Sequence, residues 1–177
     1  MDTVLYILAG IAVLILILGI IAPKGYDVSR SIKVRQPVSV VFDYLKYLKN
    51  QDHWSPWGKR DPNMKKEFVG TDGEIGATSK WEGNKEVGSG EQEITRIVEN
   101  ELIESDLRFL KPWKSQSDAY LKVNEAGSGE TEVTWGFTGK NKFPMSIMML
   151  FMNMDKAVGK DFEEGLASLK AILEKNP

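Results

Sequence analysis

Hydrophobic residues follow two patterns along the chain: one uninterrupted run at the start, and alternating or helical spacing in the rest. Residues 4–22 carry no charge, and only Tyr6 has a polar side-chain group. As a helix this run extends over about 28 Å, close to the ~30 Å hydrocarbon core of a bilayer. The pattern predicts a transmembrane anchor in residues 1–23 and one folded domain in residues 24–177.

A cleaved secretory signal is the alternative explanation of this run. Such a signal needs a basic segment before it, a shorter apolar core and a small-x-small cleavage site. Here Asp2 precedes the run, and residues 20–23 (Ile-Ile-Ala-Pro) end it. We therefore expect an uncleaved, single-pass membrane anchor.

Basic residues flank the run on one side only. No Lys or Arg precedes it, whereas Lys24, Arg30, Lys33 and Arg35 follow it. The positive-inside rule therefore predicts that the C-terminal domain is cytoplasmic. Because the last three of these residues belong to a predicted strand, Lys24 is the one expected next to the membrane.

The domain begins with a strand and an amphipathic helix. Residues 26–36 alternate between apolar and polar positions, and Pro37 opens a helix whose apolar face carries Val41, Phe42 and Leu45. Residues 51–57 predict a second short helix or a turn. Six further strands, separated by glycine-rich turns short enough for an antiparallel meander, are predicted at residues 66–69, 78–82, 90–98, 102–109, 117–124 and 131–138.

Helical spacing of apolar residues is most extensive near the C-terminus. It predicts one continuous helix from Pro144 to Leu173, closed by Asn176 and Pro177. The first half of its apolar stripe is rich in methionine, whose flexible thioether suits an irregular core or a refillable space. A ligand cavity and a filled core are both compatible with this pattern.

Composition excludes several kinds of chemistry. With Lys+Arg 23 against Asp+Glu 25, the chain has no general attraction to nucleic acid. It has no cysteine, which excludes disulfides, thiolate metal sites and cysteine nucleophiles. The one histidine, His53, follows Asp52 and could act as a general base, but no Gly-x-Ser-x-Gly motif accompanies it. We predict no metal site, no cofactor and no identifiable catalytic residue.

The order of one strand, two helices, six strands and one long helix resembles the SRPBCC superfamily of START-like and polyketide cyclase-like domains. Three motifs carry the resemblance: residues 31–45, which join the first strand to its helix, the Trp-Pro-Trp-type loop at 50–57, and the closing-helix pattern at 162–169. The resemblance implies an α+β helix-grip fold. In that fold a curved, antiparallel, seven-stranded sheet wraps around a long C-terminal helix, and two short helices follow strand 1.

The resemblance also implies an apolar cavity between the sheet and the closing helix, able to hold a hydrophobic small molecule or lipid. The residues expected to line it are Trp81, Leu107, Phe109, Leu121, Trp135, Phe137, Met148, Met149 and Met152. A membrane-anchored binding module is the favoured function. Two alternatives stay open: a cyclase- or hydrolase-like enzyme, and an interaction or regulatory domain with a filled core. The sequence identifies no particular protein partner.

The turns of an antiparallel meander alternate between the two ends of the sheet, so the turns near 85, 111–114 and 140–143 are expected to share one end. The resemblance implies that the first strand pairs antiparallel with the last, so the first strand is expected to begin at that same end, where the anchor enters. Basic side chains beside exposed aromatics suit an anionic membrane interface. We predict that the cavity mouth opens toward the bilayer, with these residues facing the membrane: Lys111, Trp113, Lys114, Lys140, Lys142 and Phe143. Scattered, solvated lysines are the alternative.

Overall fold

An isolated helix and a seven-stranded sheet dominate the computed structural model, which describes residues 2–175. The isolated helix, α1 (Asp2–Ile21), contains the predicted anchor. Within the described residues, Thr3–Ile21 is the one helix long and apolar enough to cross a membrane; it is exposed except near its end, where Leu18 and Gly19 are half-buried. The predicted closing residues Asn176 and Pro177 lie outside the described part of the chain.

Seven antiparallel strands form one sheet in the order β1-β7-β6-β5-β4-β3-β2. Their bounds are β1 (Gly25–Val34), β2 (Lys65–Val69), β3 (Thr78–Glu82), β4 (Ser89–Val98), β5 (Leu102–Lys111), β6 (Ser115–Gly127) and β7 (Glu130–Lys140). Each predicted strand is confirmed to within a few residues. The first strand pairs with the last, from Gly25 opposite Lys140 to Val34 opposite Thr131.

Three short helices connect β1 to β2: α2 (Val38–Leu45), α3 (Gln51–Trp54) and α4 (Pro56–Arg60). The predicted amphipathic helix is confirmed as α2. The segment predicted as a second helix or a turn contains both α3 and α4, which are separated at Ser55. The backbone of Ser55 is extended (φ −67°, ψ 132°), because Pro56 disfavours a helical conformation in the residue before it.

The long C-terminal helix, α6 (Met154–Leu173), packs mainly against β1. Its buried face carries Phe162, Leu166 and Leu169. Gly165 allows close contact with the sheet, since a Cβ atom at that position would lie 2.6 Å from the Trp135 ring. The helix therefore approaches the sheet at a separation that a larger residue would prevent.

The prediction of one helix from 144 to 173 is wrong, because the chain forms a short helix, α5 (Met145–Met148), and then α6. Asn153 begins α6: its backbone is extended, and its side-chain oxygen accepts a hydrogen bond from the Lys156 backbone N–H at 3.0 Å. Asparagine is a favoured N-cap residue, and Asp155 in the first turn suits the positive end of the helix dipole. The apolar stripe does not reveal the break, since the residues at the break are themselves apolar.

Candidate functional site

The space between the sheet and α6 is filled by aromatic rings. The Trp135 ring lies at the centre, with its centroid 4.4 Å from that of Phe162, 4.7 Å from Trp54 and 5.4 Å from Trp57. Phe137 packs on the other side of Phe162, at 5.6 Å. Trp135 and Phe137, predicted to line a cavity, and with them Leu121, are buried core residues in this arrangement.

Little room is left in this interior. A cavity of about 10 Å³ lies between α2, α3 and the middle of the sheet, and its lining includes Leu45, Gln51 and Gln92. Such a volume holds about one water molecule. The Gln92 side-chain amide donates a hydrogen bond to the Ser105 hydroxyl at 3.4 Å in the same region. This cavity is too small for a lipid.

Three other predicted lining residues lie on the concave face of β3 and β5, apart from α6. Trp81 and Phe109 meet edge to face with centroids 5.9 Å apart, and Leu107 is half-buried nearby on β5. The Trp81 ring lies over Gly90, where an added Cβ atom would come within 2.5 Å of it. These side chains form a small aromatic cluster of their own.

An open groove of about 400 Å³ lies elsewhere, between the start of β1 and residues 149–155. Its apolar walls include Tyr26 and Val28 on one side and Met149, Leu150 and Met152 on the other. Two of the three predicted methionines therefore line a groove, although on the connection before α6 and not on that helix. Met148 lies in α5, outside the groove lining.

The polar residues of the groove are acidic or neutral: Asp27, Asn141, Asn153 and Asp155. Asp155 accepts two hydrogen bonds from the Arg30 guanidinium, at 2.7 and 3.1 Å, and these bonds lower the pKa of the Asp155 carboxyl. Arg30 also donates to Glu163 at 2.7 Å, which ties α6 to β1. No Lys or Arg is among the groove-lining residues of the described chain.

A short, hydrogen-bonded joint connects the groove to α1. Ala22 is buried, the Asn141 backbone N–H donates to the Lys24 carbonyl at 2.9 Å, and the Asn141 side-chain amide donates to the Pro23 carbonyl at 3.3 Å. The Lys24 ammonium donates to the Gly19 carbonyl in the last turns of α1. Because residues 22–24 are held in this way, the groove has a fixed position beside the end of α1.

Strand register puts the predicted membrane-facing residues at the anchor end of the sheet. Lys111 pairs with Ser89, and Lys140 pairs with Gly25, where β1 begins. All six of these residues are exposed: Lys111, Trp113, Lys114, Lys140, Lys142 and Phe143. Whether they touch a bilayer stays a prediction.

Sequence reasoning missed other exposed apolar residues at this end. Leu110 is exposed near the end of β5, Met145 is exposed on α5, which contacts α1, and Phe151 is exposed between α5 and α6. Residues 147–152 (Ile-Met-Met-Leu-Phe-Met) form a continuous apolar run rather than a spaced one. The continuity of this run could have indicated exposed apolar residues, because a helix with one buried face has polar residues on its other face.

The candidate base His53 has Tyr44 of α2 as its hydrogen-bond neighbour. Its Nδ1 atom lies 3.4 Å from the Tyr44 hydroxyl, and the neighbouring Asp52 carboxylate accepts a hydrogen bond from Lys66. Asp52 therefore does not orient the imidazole. In the described residues 2–175, no group of three or more His, Asp or Glu side chains is placed to hold a metal ion.

Comparisons with known proteins identify the fold. No family model matches the sequence, and no curated protein matches it. Solved structures do. Major latex-like protein 151 from Panax ginseng superposes with a TM-score of 0.60 at 11% identity, over 85% of this chain and 99% of that chain. The chain has a helix-grip fold.

Two further structures show how varied the proteins with this fold are. The di-domain ARO/CYC StfQ of the steffimycin biosynthetic pathway has a TM-score of 0.61 at 12% identity, over 86% of this chain and 51% of that chain. The Aha1 dimer from Colwellia psychrerythraea has a TM-score of 0.58 at 14% identity, over 84% of this chain and 96% of that chain. At these identities the likeness is one of fold alone.

Proposed function

We propose that this protein is a membrane-anchored module that binds a hydrophobic small molecule or lipid in the groove between β1 and residues 149–155. In this proposal residues 1–23 are the anchor and residues 24–177 are the binding domain. The observation that carries it is the groove of about 400 Å³, which is lined by the four apolar residues 149–152 together with Tyr26 and Val28. Ligand pockets commonly have volumes of roughly 300–1,000 Å³ and mostly apolar walls.

The walls also suggest the polarity of the ligand. Met149 and Met152 are flexible and can adapt to chains of different shape. The charged groups among the lining residues are the carboxylates of Asp27 and Asp155, the latter already paired with Arg30, and no Lys or Arg among the described lining residues is available to bind an anionic head group. An uncharged molecule, or a lipid whose head group carries an ammonium, fits this groove best.

A cytoplasmic orientation for the domain is part of the proposal. Lys24 follows the span, and the pairing of β1 with β7 brings Lys140 next to it. Lys142 lies shortly after Lys140 and is exposed. The positive-inside rule counts basic residues close to the span in sequence, so it rests here on Lys24, whereas Lys140 and Lys142 would meet the head groups of the same leaflet.

Native mass spectrometry of the full-length protein in mild detergent tests the ligand site. We expect a reproducible extra mass that organic extraction releases. Met152→Trp, which fills the groove, should remove this mass. Met148→Trp is a matched control, because Met148 and Met152 are exposed to 46% and 44% but only Met152 lines the groove. A protein that stays free of bound molecules after incubation with lipid would rule out the binding module.

A second candidate function is an interaction or regulatory domain with a filled core. The packed Trp135 cluster and the cavity of only about 10 Å³ favour it. It predicts a protein free of bound lipid, with its exposed apolar residues covered by a protein partner. The same mass spectra separate the two candidates. A cyclase- or hydrolase-like activity has no comparable support, because His53 lacks an orienting carboxylate.

A further inference from the structure

One segment of the domain buries its polar side chain and exposes apolar ones, whereas a water-facing loop does the reverse. This segment, residues 143–152, is called the lip here; it carries no charge, and its one polar side chain is that of Ser146. Ser146 is fully buried, and its hydroxyl has no hydrogen-bond partner among the described residues. The exposed side chains of the lip are Phe143, Met145, Met148, Phe151 and Met152.

The depth of the lip relative to a bilayer follows from its contact with α1. The Phe143 ring packs against Gly19, where an added Cβ atom would lie 3.1 Å from the ring. The apolar part of α1 extends over about 28 Å, so nearly all of it is needed to cross a hydrocarbon core of ~30 Å. If α1 spans the bilayer, Gly19 lies near the hydrocarbon boundary, and Phe143 must lie at the same depth.

The surroundings of the lip match a membrane interface. Lys140 and Lys142 precede it, and the neighbouring β5–β6 turn presents Trp113 between Lys111 and Lys114. Such lysines suit the head-group region, and tryptophan is enriched at the same level. The apolar surface of the lip is thus continuous with the exposed surface of α1 and is bordered by cations.

We propose that the lip inserts into the leaflet in which α1 ends, so that the groove opens sideways into the hydrocarbon. Met149, Leu150 and Met152 belong both to the lip and to the groove wall. A molecule dissolved in the bilayer can then enter the groove without crossing water. The ligand is accordingly a membrane lipid or another bilayer-resident molecule; this choice of ligand rests on the proposed function, whereas insertion of the lip does not.

Site-directed spin labelling of the full-length protein in liposomes tests the insertion. The chain has no cysteine, so a single substitution gives a single label. We expect a label at Phe151→Cys to be more accessible to oxygen than to a water-soluble nickel complex, as a label at Ile20→Cys in α1 should be. Phe151 is 84% exposed in the absence of a membrane, so the label should leave the fold intact.

Ile75 provides the matched control, because it is apolar, 64% exposed and located on the β2–β3 turn at the opposite end of the sheet. A label at Ile75→Cys should be accessible to the nickel complex. If the labels at Phe151→Cys and at a second lip position, Met148→Cys, both behave like that control, insertion is overturned, even when mass spectra show a bound lipid. An inserted lip on a protein that never binds a lipid would instead refute the proposed function and leave the insertion standing.

Discussion

The C-terminal segment contains two apolar regions that the fold treats differently. On α6, Phe162, Leu166 and Leu169 are buried against the sheet. On the lip, Phe151 and Met152 are exposed. Both regions are apolar, so hydrophobicity alone does not explain why one is buried and the other exposed. Gly165 lets the backbone of α6 approach the Trp135 ring closely, whereas the lip contains no glycine. In this chain, open space is therefore found where helix and sheet are not closely packed.

The largest expected effect concerns stability, and it contrasts the two regions directly. Phe162→Ala removes a ring that contacts Trp135 and Phe137, so it should lower the free energy of unfolding by about 3–5 kcal/mol. Met152→Ala in the groove should change it by less than about 1 kcal/mol. Urea unfolding of the full-length protein in detergent, followed by tryptophan fluorescence, measures both. Equal losses would mean that the groove is as tightly packed as the core.

The second-largest expected effect concerns docking to a membrane. It should follow from reversing the charge of the lysines at the end of the sheet next to α1. Lysines near an anionic surface contribute roughly 1 kcal/mol each. Replacing Lys111, Lys114, Lys140 and Lys142 by Glu should therefore move a spin label at Trp113→Cys out of the head-group region of anionic liposomes. In neutral liposomes the two proteins should give the same signal. If the label keeps the same depth in anionic liposomes after the charge reversal, this surface does not face the membrane.

The boundary between the two regions should be sensitive to its helix cap. Asn153→Ala removes the acceptor for the Lys156 backbone N–H and should destabilise the protein by about 1 kcal/mol, whereas Asn153→Gly should cost only a few tenths. Urea unfolding of the same preparations measures the difference. If alanine and glycine are equally harmless, the cap does not fix the start of α6.

The smallest effect concerns the ion pair at the groove wall, which is exposed and screened by solvent. Asp155 has a pKa below its usual value of 3.8 because it accepts hydrogen bonds from Arg30. A lowered folded-state pKa stabilises the protein above the unfolded pKa, and this stabilisation is lost as the pH falls through the folded value. The stability difference between wild type and Asp155→Asn should therefore be present at neutral pH, begin to decline near pH 3.8 and vanish only once the pH is below the lowered folded-state pKa. A constant difference would exclude the ion pair as its source.

Alternation and turn spacing were sufficient to predict the strands, because each strand carries its own period and the meander turns are short, whereas the pairing of β1 with β7 was expected from the family resemblance. The same holds for α2. The break before α6 was predictable in principle from Asn153 followed by Asp155, a sequence typical of a helix start. It was missed because the residues between α5 and α6 are as apolar as those of a buried stripe.

The candidate site was less accessible to sequence reasoning, because its walls come from distant parts of the chain. Tyr26 and Met149 meet only once β1 has paired with β7 and the chain has turned at Asn153. Filling of the interior depends on Trp54 and Trp57, which belong to short helices and reach Trp135 across the fold. The spacing of residues along the chain indicates neither which residues share the groove nor which rings contact Trp135.

Photo-crosslinking tests most directly whether the ligand occupies the groove rather than the face of the sheet. Full-length protein in liposomes would be exposed to a fatty-acyl lipid with a diazirine in its chain, and the labelled peptides would be mapped by mass spectrometry. The groove predicts crosslinks at Tyr26 or Val28, which lie on its sheet side, in addition to Met149 and Met152. If the crosslinks within the domain are confined to Trp81, Leu107 and Phe109, the ligand lies on β3 and β5, and the proposed groove site is wrong.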